Sequence, residues 1–202
     1  MSLISPLFKE IGMASLPAQT LFTPEEYIRQ ERKALHKSEY LDGQIFAMSG
    51  ASRAHSLITG DIFNSLYNQL VGSDCEVHSS DMRVQPSPIA YFYPDVVVAC
   101  GEPRFGDDVY DTLLNPIVIV EVLSPSTAAY DRGEKFSHYR QLTSLQDYIL
   151  VSQHKACVEH HWRQDQQWEH TTFRALEDVL PLTSIGCKIP LHDIYRRVTI
   201  AE

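Results

Sequence analysis

The chain has 202 residues, 44% of them hydrophobic and 21% charged, with a formal net charge of −9. That composition supports one folded domain with an apolar core and excludes a disordered or fibrous chain. The acidic balance excludes a protein that coats nucleic acid by bulk charge, though not an enzyme that meets phosphates through a metal ion and a local basic patch.

No apolar run approaches the ~18 residues that span a bilayer, so no membrane partner is expected. Residues 1–20 lack the basic start and sustained apolar stretch of a secretory signal and read as a tail ahead of a domain over 21–202. The four cysteines, Cys75, Cys100, Cys157 and Cys187, form no CxxC pair. They are expected to be reduced, buried thiols of a cytoplasmic protein.

Thr23-Pro24-Glu25-Glu26 opens a helix: Thr23 can cap, Pro24 suits the first helical position, and Glu26 completes a capping box. It is expected to run to about residue 36. Residues 38–48 then read as a hairpin with Asp42-Gly43 at its turn. A second helix follows over 52–70, where Ile58, Ile62, Leu66 and Leu70 recur every four residues and Leu57 and Phe63 widen the stripe. His55 stands three before Ile58 and shares that buried face, either as a core histidine or as part of a cleft.

Three strands are expected near 76–85, 90–100 and 116–123, with a Gly-, Pro- and Asp-rich loop over 101–115. Val96-Val97-Val98 and Ile117-Val118-Ile119-Val120 are near-continuous apolar runs, the mark of strands covered on both faces. Ser124-Pro125-Ser126 ends the third. Residues 131 to about 142 read as a helix, with Asp131 and Glu134 in capping spacing. A buried strand over 147–151 precedes a hairpin of 157–163 and 167–174 around Gln164-Asp165-Gln166. A short element through Ile189-Pro190-Leu191 to Ile194 closes the chain. This order predicts a mixed sheet with helices packed on it, α/β or α+β.

Two residues contradict their surroundings. Asp95 interrupts Tyr91-Phe92-Tyr93-Pro94-Asp95-Val96-Val97-Val98, and Glu121 interrupts Ile117 to Leu123. Alternation places Glu121 on the side of Ile119 and Leu123, and Asp95 on the side of Tyr93 and Val97. A carboxylate in so apolar a strand must be neutralised, paired or bound to a metal. Either acid alone is equally consistent with a strand end or a buried ion pair. Two acids in neighbouring strands repel unless a proton or a cation lies between them, and hard oxygen ligands favour Mg²⁺ or Mn²⁺. Lys135 stands four before Tyr139 and seven before Leu142, so its stem can follow the core side of the helix towards the strand ends. The alternative is a solvated lysine paired with Asp131 or Glu134.

Pro94-Asp95, Glu121-Val122-Leu123-Ser124-Pro125-Ser126-Thr127, Asp131-Arg132, Lys135 and Tyr139 together resemble the Uma2 family, also known as DUF820. The likeness runs from about residue 23 to 194 and includes Glu39-Tyr40-Leu41-Asp42-Gly43 and His55-Ser56. Proteins of this family are restriction-endonuclease-like members of the PD-(D/E)XK superfamily. The resemblance implies a nuclease core in which Asp95, Glu121 and the Val122 carbonyl hold Mg²⁺ (or Mn²⁺) and a lysine assists the attacking water. It implies hydrolysis of DNA phosphodiester bonds, and symmetry makes a homodimer the natural form for duplex cleavage. Glu39, His55 and Tyr139 are further cleft residues under the same likeness. One departure stands out: the superfamily's lysine lies two residues after the Glu, where this chain has Leu123. Its role passes to Lys135 or is lost, and loss would leave a nucleic-acid- or protein-binding module that keeps the nuclease fold.

The other polar residues carry weaker signals. His154, His160, His161 and His170 match no zinc-ligand spacing, and His160 and His161 point to opposite faces of a strand. Ser124 and Ser126 read as turn and capping residues. Arg196-Arg197 reads as a solvated pair that can also touch phosphate.

Overall fold

The structure is a computed structural model and describes residues 21–200; the tail expected over 1–20 lies outside the described residues. Helix α1 (Pro24–Glu31) begins with the expected capping box, Thr23 accepting from the Glu26 amide and Glu26 from the Thr23 amide. It stops short of residue 36 because the Lys33 and Ala34 amides bond back three residues, to Gln30 and Glu31. The buried Glu31 carboxylate then accepts from the Ser38 amide and hydroxyl, fixing where the next strand starts.

Strands β1 (Ser38–Leu41) and β2 (Gln44–Ala47) make the expected hairpin. Its two turn residues, Asp42 (φ 45°) and Gly43 (φ 84°), are both left-handed, as a two-residue turn of this hand requires. Helix α2 (Arg53–Leu70) is capped by Ser52, which accepts from the His55 amide at 3.1 Å, and it buries Ile58, Ile62, Leu66 and Leu70.

Two of the expected strands are each divided. Strands β3 (Cys75–Ser79) and β4 (Arg83–Ser87) are separated by a turn closed by the Met82 amide on the Ser79 carbonyl. Strands β5 (Ala90–Phe92) and β6 (Val96–Cys100) are separated at Tyr93-Pro94-Asp95. Pro94 has no amide hydrogen to give a ladder, so the apolar run cannot continue through it. At each break the chain changes sheets.

A two-residue strand, β7 (Thr112–Leu113), lies inside the expected loop, and β8 (Val118–Leu123) follows. The helix expected from Asp131 starts earlier and is irregular: α3 (Ala128–Tyr130), a π-helical turn (Asp131–Lys135) and α4 (Phe136–Tyr139). Asp131 is buried within it rather than capping it. The Thr127 amide donates instead to Ser124 Oγ at 3.2 Å, the capping role read for that serine. Strands β9 (Asp147–Ser152), β10 (Val158–Gln164) and β11 (Gln167–Phe173) match expectation. The closing region holds an unforeseen strand β12 (Val179–Leu182), paired with β13 (Cys187–Pro190), and a short α5 (Leu191–Tyr195).

The fold is of the mixed α/β class. A six-stranded sheet runs β11-β10-β9-β8-β6-β3, antiparallel except for the parallel pair β8 and β9. A five-stranded sheet runs β2-β1-β5-β4-β7. All six residues of β8 are buried. Val118, Val120 and Val122 face the core shared with α2, β12, β13 and α5, while Ile119 and Leu123 face the second core against α4 and the five-stranded sheet. Glu121 falls between Ile119 and Leu123, so its carboxylate points to that second side.

The cysteines depart from the expected reduced state. Cys75 and Cys100 form a disulfide, because the antiparallel register of β3 and β6 sets them directly opposite one another. That register is a long-range pairing that spacing alone does not reveal. Cys157 and Cys187 are the buried free thiols expected.

Candidate active site

Ladder register brings the two acids together. Strands β6 and β8 pair Val96 with Val120, so Asp95, one residue before, and Glu121, one residue after, come side by side where β6 begins. Asp95 therefore sits just ahead of the strand rather than inside it, a consequence of Pro94. Its Oδ2 accepts from the Val122 amide at 2.7 Å, taking the place of the ladder partner that β6 no longer provides. In an extended strand a residue's N–H and C=O project to the same side, so the Val122 carbonyl opens towards the same gap.

Lys135 is buried, which excludes the solvated alternative. Its Nζ lies 2.9 Å from Glu121 Oε1, 2.9 Å from Glu39 Oε1 and 3.9 Å from Asp131 Oδ1. Tyr139 donates its hydroxyl to Glu121 Oε1 at 3.2 Å. The wide π-helical turn ends at Lys135, and one extra residue in a turn rotates the side chains that follow. Glu39 reaches the cluster from β1 of the other sheet, held by the Tyr93 amide at 3.1 Å. His55, from the first turn of α2, places Nε2 3.3 Å from Asp95 Oδ2.

Asp95, Glu121, Lys135, Val122, Glu39, His55 and Tyr139 thus gather in one cluster drawn from both sheets and two helices. Glu121 and Lys135 form its floor, with side chains 6% exposed, while Glu39, Asp95 and His55 at 13, 15 and 17% form its rim. A ligand entering the cluster meets the rim first.

Electrostatics follow from an excess of acids. Burial and the charges of Asp131, Asp95 and Glu39 push the Glu121 carboxyl well up, against the pull of Lys135. Burial likewise raises Asp131. Burial disfavours the Lys135 ammonium, but Glu121, Glu39 and Asp131 outweigh it and raise its pKa, so Lys135 stays charged. His55 is also raised: burial lowers it, while Asp95 and the Val122 carbonyl overcome that loss.

Three contributors carried little sequence signal. Asp131 read as a helix cap, although its i,i+4 spacing to Lys135 was visible. Gln153 is buried in the loop after β9, donates to the Leu123 carbonyl at 3.0 Å and contacts Ser52 Oγ, pinning the start of α2 to the end of β8. Tyr130 is half-buried beside the cluster, its hydroxyl pushed up by burial and by Glu39.

Among the described residues no three His, Cys, Asp or Glu side chains converge tightly enough to hold an ion by themselves. The donor set still fits a hard divalent ion. Mg²⁺ keeps several waters and takes only one or two carboxylates from the protein. Asp95 Oδ1 and Glu121 Oε2 accept no hydrogen bond among the described residues, and the cluster has more carboxylates than cations.

The remaining candidates lie elsewhere in structural roles. His160 bonds Asp147 at 2.6 Å, whereas His161 faces Phe136 and His170. Arg196 and Arg197 both pair with the buried Asp61. Ser124 Oγ bonds Ser126 and Thr127.

A family model for Uma2, described as a putative restriction endonuclease, matches residues 24–191. The chain belongs to the Uma2 family. Two Synechocystis relatives are similar over most of their length. The uncharacterized protein slr1290 is 42% identical across 86% of this chain and 91% of its own. The uncharacterized protein sll1609 is 38% identical across 73% of this chain and 85% of its own. A crystal structure of a putative nuclease belonging to DUF820, from Anabaena variabilis, superposes with a TM-score of 0.69. It covers 87% of this chain and 98% of that one at 17% identity, a likeness of fold. In this Uma2 chain the family match spans every residue of the cluster from Glu39 to Gln153.

Proposed function

We propose that the protein is a Mg²⁺-dependent endonuclease that hydrolyses DNA phosphodiester bonds, with Asp95, Glu121 and Lys135 as its working residues. The observation that carries the reading is the meeting of Asp95 and Glu121 at the start of β6, with the Lys135 ammonium 2.9 Å from Glu121. Membership of a family described as restriction endonucleases adds the substrate class.

Asp95, Glu121 and the Val122 carbonyl would hold the ion. When bound, a divalent ion polarises a phosphoryl oxygen and lowers the pKa of a water to supply the nucleophile. The residues themselves divide the remaining work. Asp95 is aimed by the Val122 amide and His55, and Glu121 by Tyr139 and Lys135. Lys135, held 2.9 Å from Glu121, would offset negative charge that builds on the phosphate. A homodimer would suit cuts on both strands. No helix among the described residues is long and apolar enough to cross a membrane.

A binding module that keeps the nuclease fold is the second reading. Leu123 is buried in the core at the position of the superfamily's usual lysine, and Lys135 already partners Glu121. Incubation of supercoiled plasmid with the protein separates the two. Endonuclease function predicts nicking with Mg²⁺ or Mn²⁺, none with chelator, and loss of cleavage in Asp95→Asn and Glu121→Gln at unchanged circular dichroism. DNA binding without cleavage at any metal concentration would favour the module.

A further inference from the structure

The mouth of the cluster is acidic at its rim and basic at its flanks. Lys37 stands two residues before Glu39 and so on the same side of the β1 line. Its Nζ lies 5.4 Å from the centre of the Tyr93 ring, and Glu39 holds the Tyr93 amide, so the lysine reaches the mouth beside the Tyr93-Pro94-Asp95 break. The turn after β3 holds it there. Nζ donates to the Ser80 carbonyl at 2.7 Å and pairs at 3.0 Å with Asp81, whose side chain is 85% exposed. So exposed a pair contributes little and gives way readily to another anion. On the other flank, the buried Gln153 contacts Ser52 Oγ and sets the β9–β10 loop against the start of α2. The loop segment carrying Lys155, two residues after Gln153, thus lies beside the helix start carrying Arg53, two residues before His55. Helical side chains lean towards the helix N-terminus, so Arg53 reaches past the end of α2 rather than back along it. Arg53 and Lys155 are exposed and pair with no acid among the described residues.

A polyanion approaching this mouth meets repulsion. Glu39 and Asp95 oppose a phosphate, and a chain of net charge −9 offers no compensating bulk attraction. Cations on both sides of the acidic rim offset that, because a strand laid across the mouth carries a phosphate over each flank as well as over the centre. We propose that Lys37 on one flank, and Arg53 with Lys155 on the other, form a phosphate-tracking groove that holds the DNA backbone either side of the cluster. This rests on the nuclease reading above and adds substrate contacts outside the Asp95, Glu121 and Lys135 set. Phosphate contacts position a duplex without carrying base information, so the groove grips DNA whatever its sequence.

The test is the salt dependence of duplex binding, followed by the anisotropy of fluorescently labelled DNA in Ca²⁺ buffer at increasing KCl. Each phosphate contact adds about 0.9 to the slope of log affinity against log salt. Lys37→Gln, Arg53→Ala and Lys155→Ala are each expected to weaken binding and to lower the slope by about that amount, equally on duplexes of unrelated sequence. Lys188 is exposed beside Gln69, about 24 Å along α2 from Arg53, and Lys188→Ala should change neither quantity. Lys37→Gln keeps a donor for the Ser80 carbonyl while removing the charge. If its circular dichroism melt is lost nonetheless, Asp81→Asn, which frees Lys37, should instead tighten binding, and failure to do so overturns the inference. An unchanged slope in Arg53→Ala or Lys155→Ala, or an equal fall in Lys188→Ala, also overturns the groove while leaving the nuclease reading intact. A wild type that neither binds duplex at the lowest salt nor cleaves it with Mg²⁺ or Mn²⁺ removes that reading, and the groove with it.

Discussion

A buried ammonium is stable only where nearby acids outweigh its lost hydration, and Lys135 meets that condition through Glu39, Glu121 and Asp131. Lys135→Ala leaves those acids facing one another in a poorly solvated pocket. Breaking a buried pair in this way typically costs ~3–5 kcal/mol of stability. On the proposed mechanism it also removes a charge aimed at the phosphate, which lowers the cleavage rate by roughly 10²–10³-fold. Chemical denaturation and plasmid nicking measure the two effects, and a variant of native stability and full activity would contradict the role given to this residue. Asp95 and Glu121 were legible in the sequence because each breaks a strict apolar pattern; the pattern put Lys135 on the core-side stripe but left a solvated alternative open, and Tyr139 was a cleft residue only through the family resemblance. Gln153 was not legible, since an amide in a loop after a buried strand looks like any surface residue. Asp131 was legible as an acid but not as a buried one, because the π-helical turn displaces the side chains from ordinary helical spacing.

At the scale of elements, most strands and helices follow from pattern, and the two merged strands share one cause. Apolar alternation reports burial but not which sheet does the burying. It therefore joined β3 to β4 and β5 to β6, where the chain passes between sheets, although Pro94 marked the second break. The same blindness to long-range register hid the pairing of Cys75 with Cys100. That disulfide closes a separation of 25 residues between an edge strand and the strand that begins beside Asp95. Cys75→Ser is expected to lower stability by about 2–3 kcal/mol, seen as a reduced melting temperature that added reductant no longer changes.

Helix α1 is tied to the 101–115 loop by Arg32, which bonds both Asp107 and Asp111, and the buried Arg83 pairs with Asp111 from below. The hydrogen bond from Arg32, opposed by burial and helped by Arg83, holds the Asp111 carboxyl down at about 2, below its ordinary value of 3.8. A depressed acid stabilises the fold above its unfolded pKa, and that contribution is lost as pH falls from about 4 towards 2. Because both partners are partly exposed, screening limits it to ~1 kcal/mol. Acid titration of Asp111→Asn should show a shallower loss of stability across that interval than the wild type.

For the whole molecule, the two sheets matter more than either alone. Glu39 and Glu121 lie in different sheets, yet both reach the Lys135 ammonium, so the cluster exists only when the sheets are packed together. The domain class was readable from element order, and the family from one string of residues, whereas the joining of the sheets at Tyr93-Pro94-Asp95 needed the structure. A net charge of −9 gives such a chain little bulk attraction for DNA. On the proposed function, its hold on a phosphate would come from a local cation held between Asp95 and Glu121. Crystals soaked in Mn²⁺ and measured for anomalous scattering test this most directly. The account predicts one strong peak within ~2.2 Å of oxygens from Asp95, Glu121 and the Val122 carbonyl. A peak at a different group of residues, or none at saturating Mn²⁺, would contradict it.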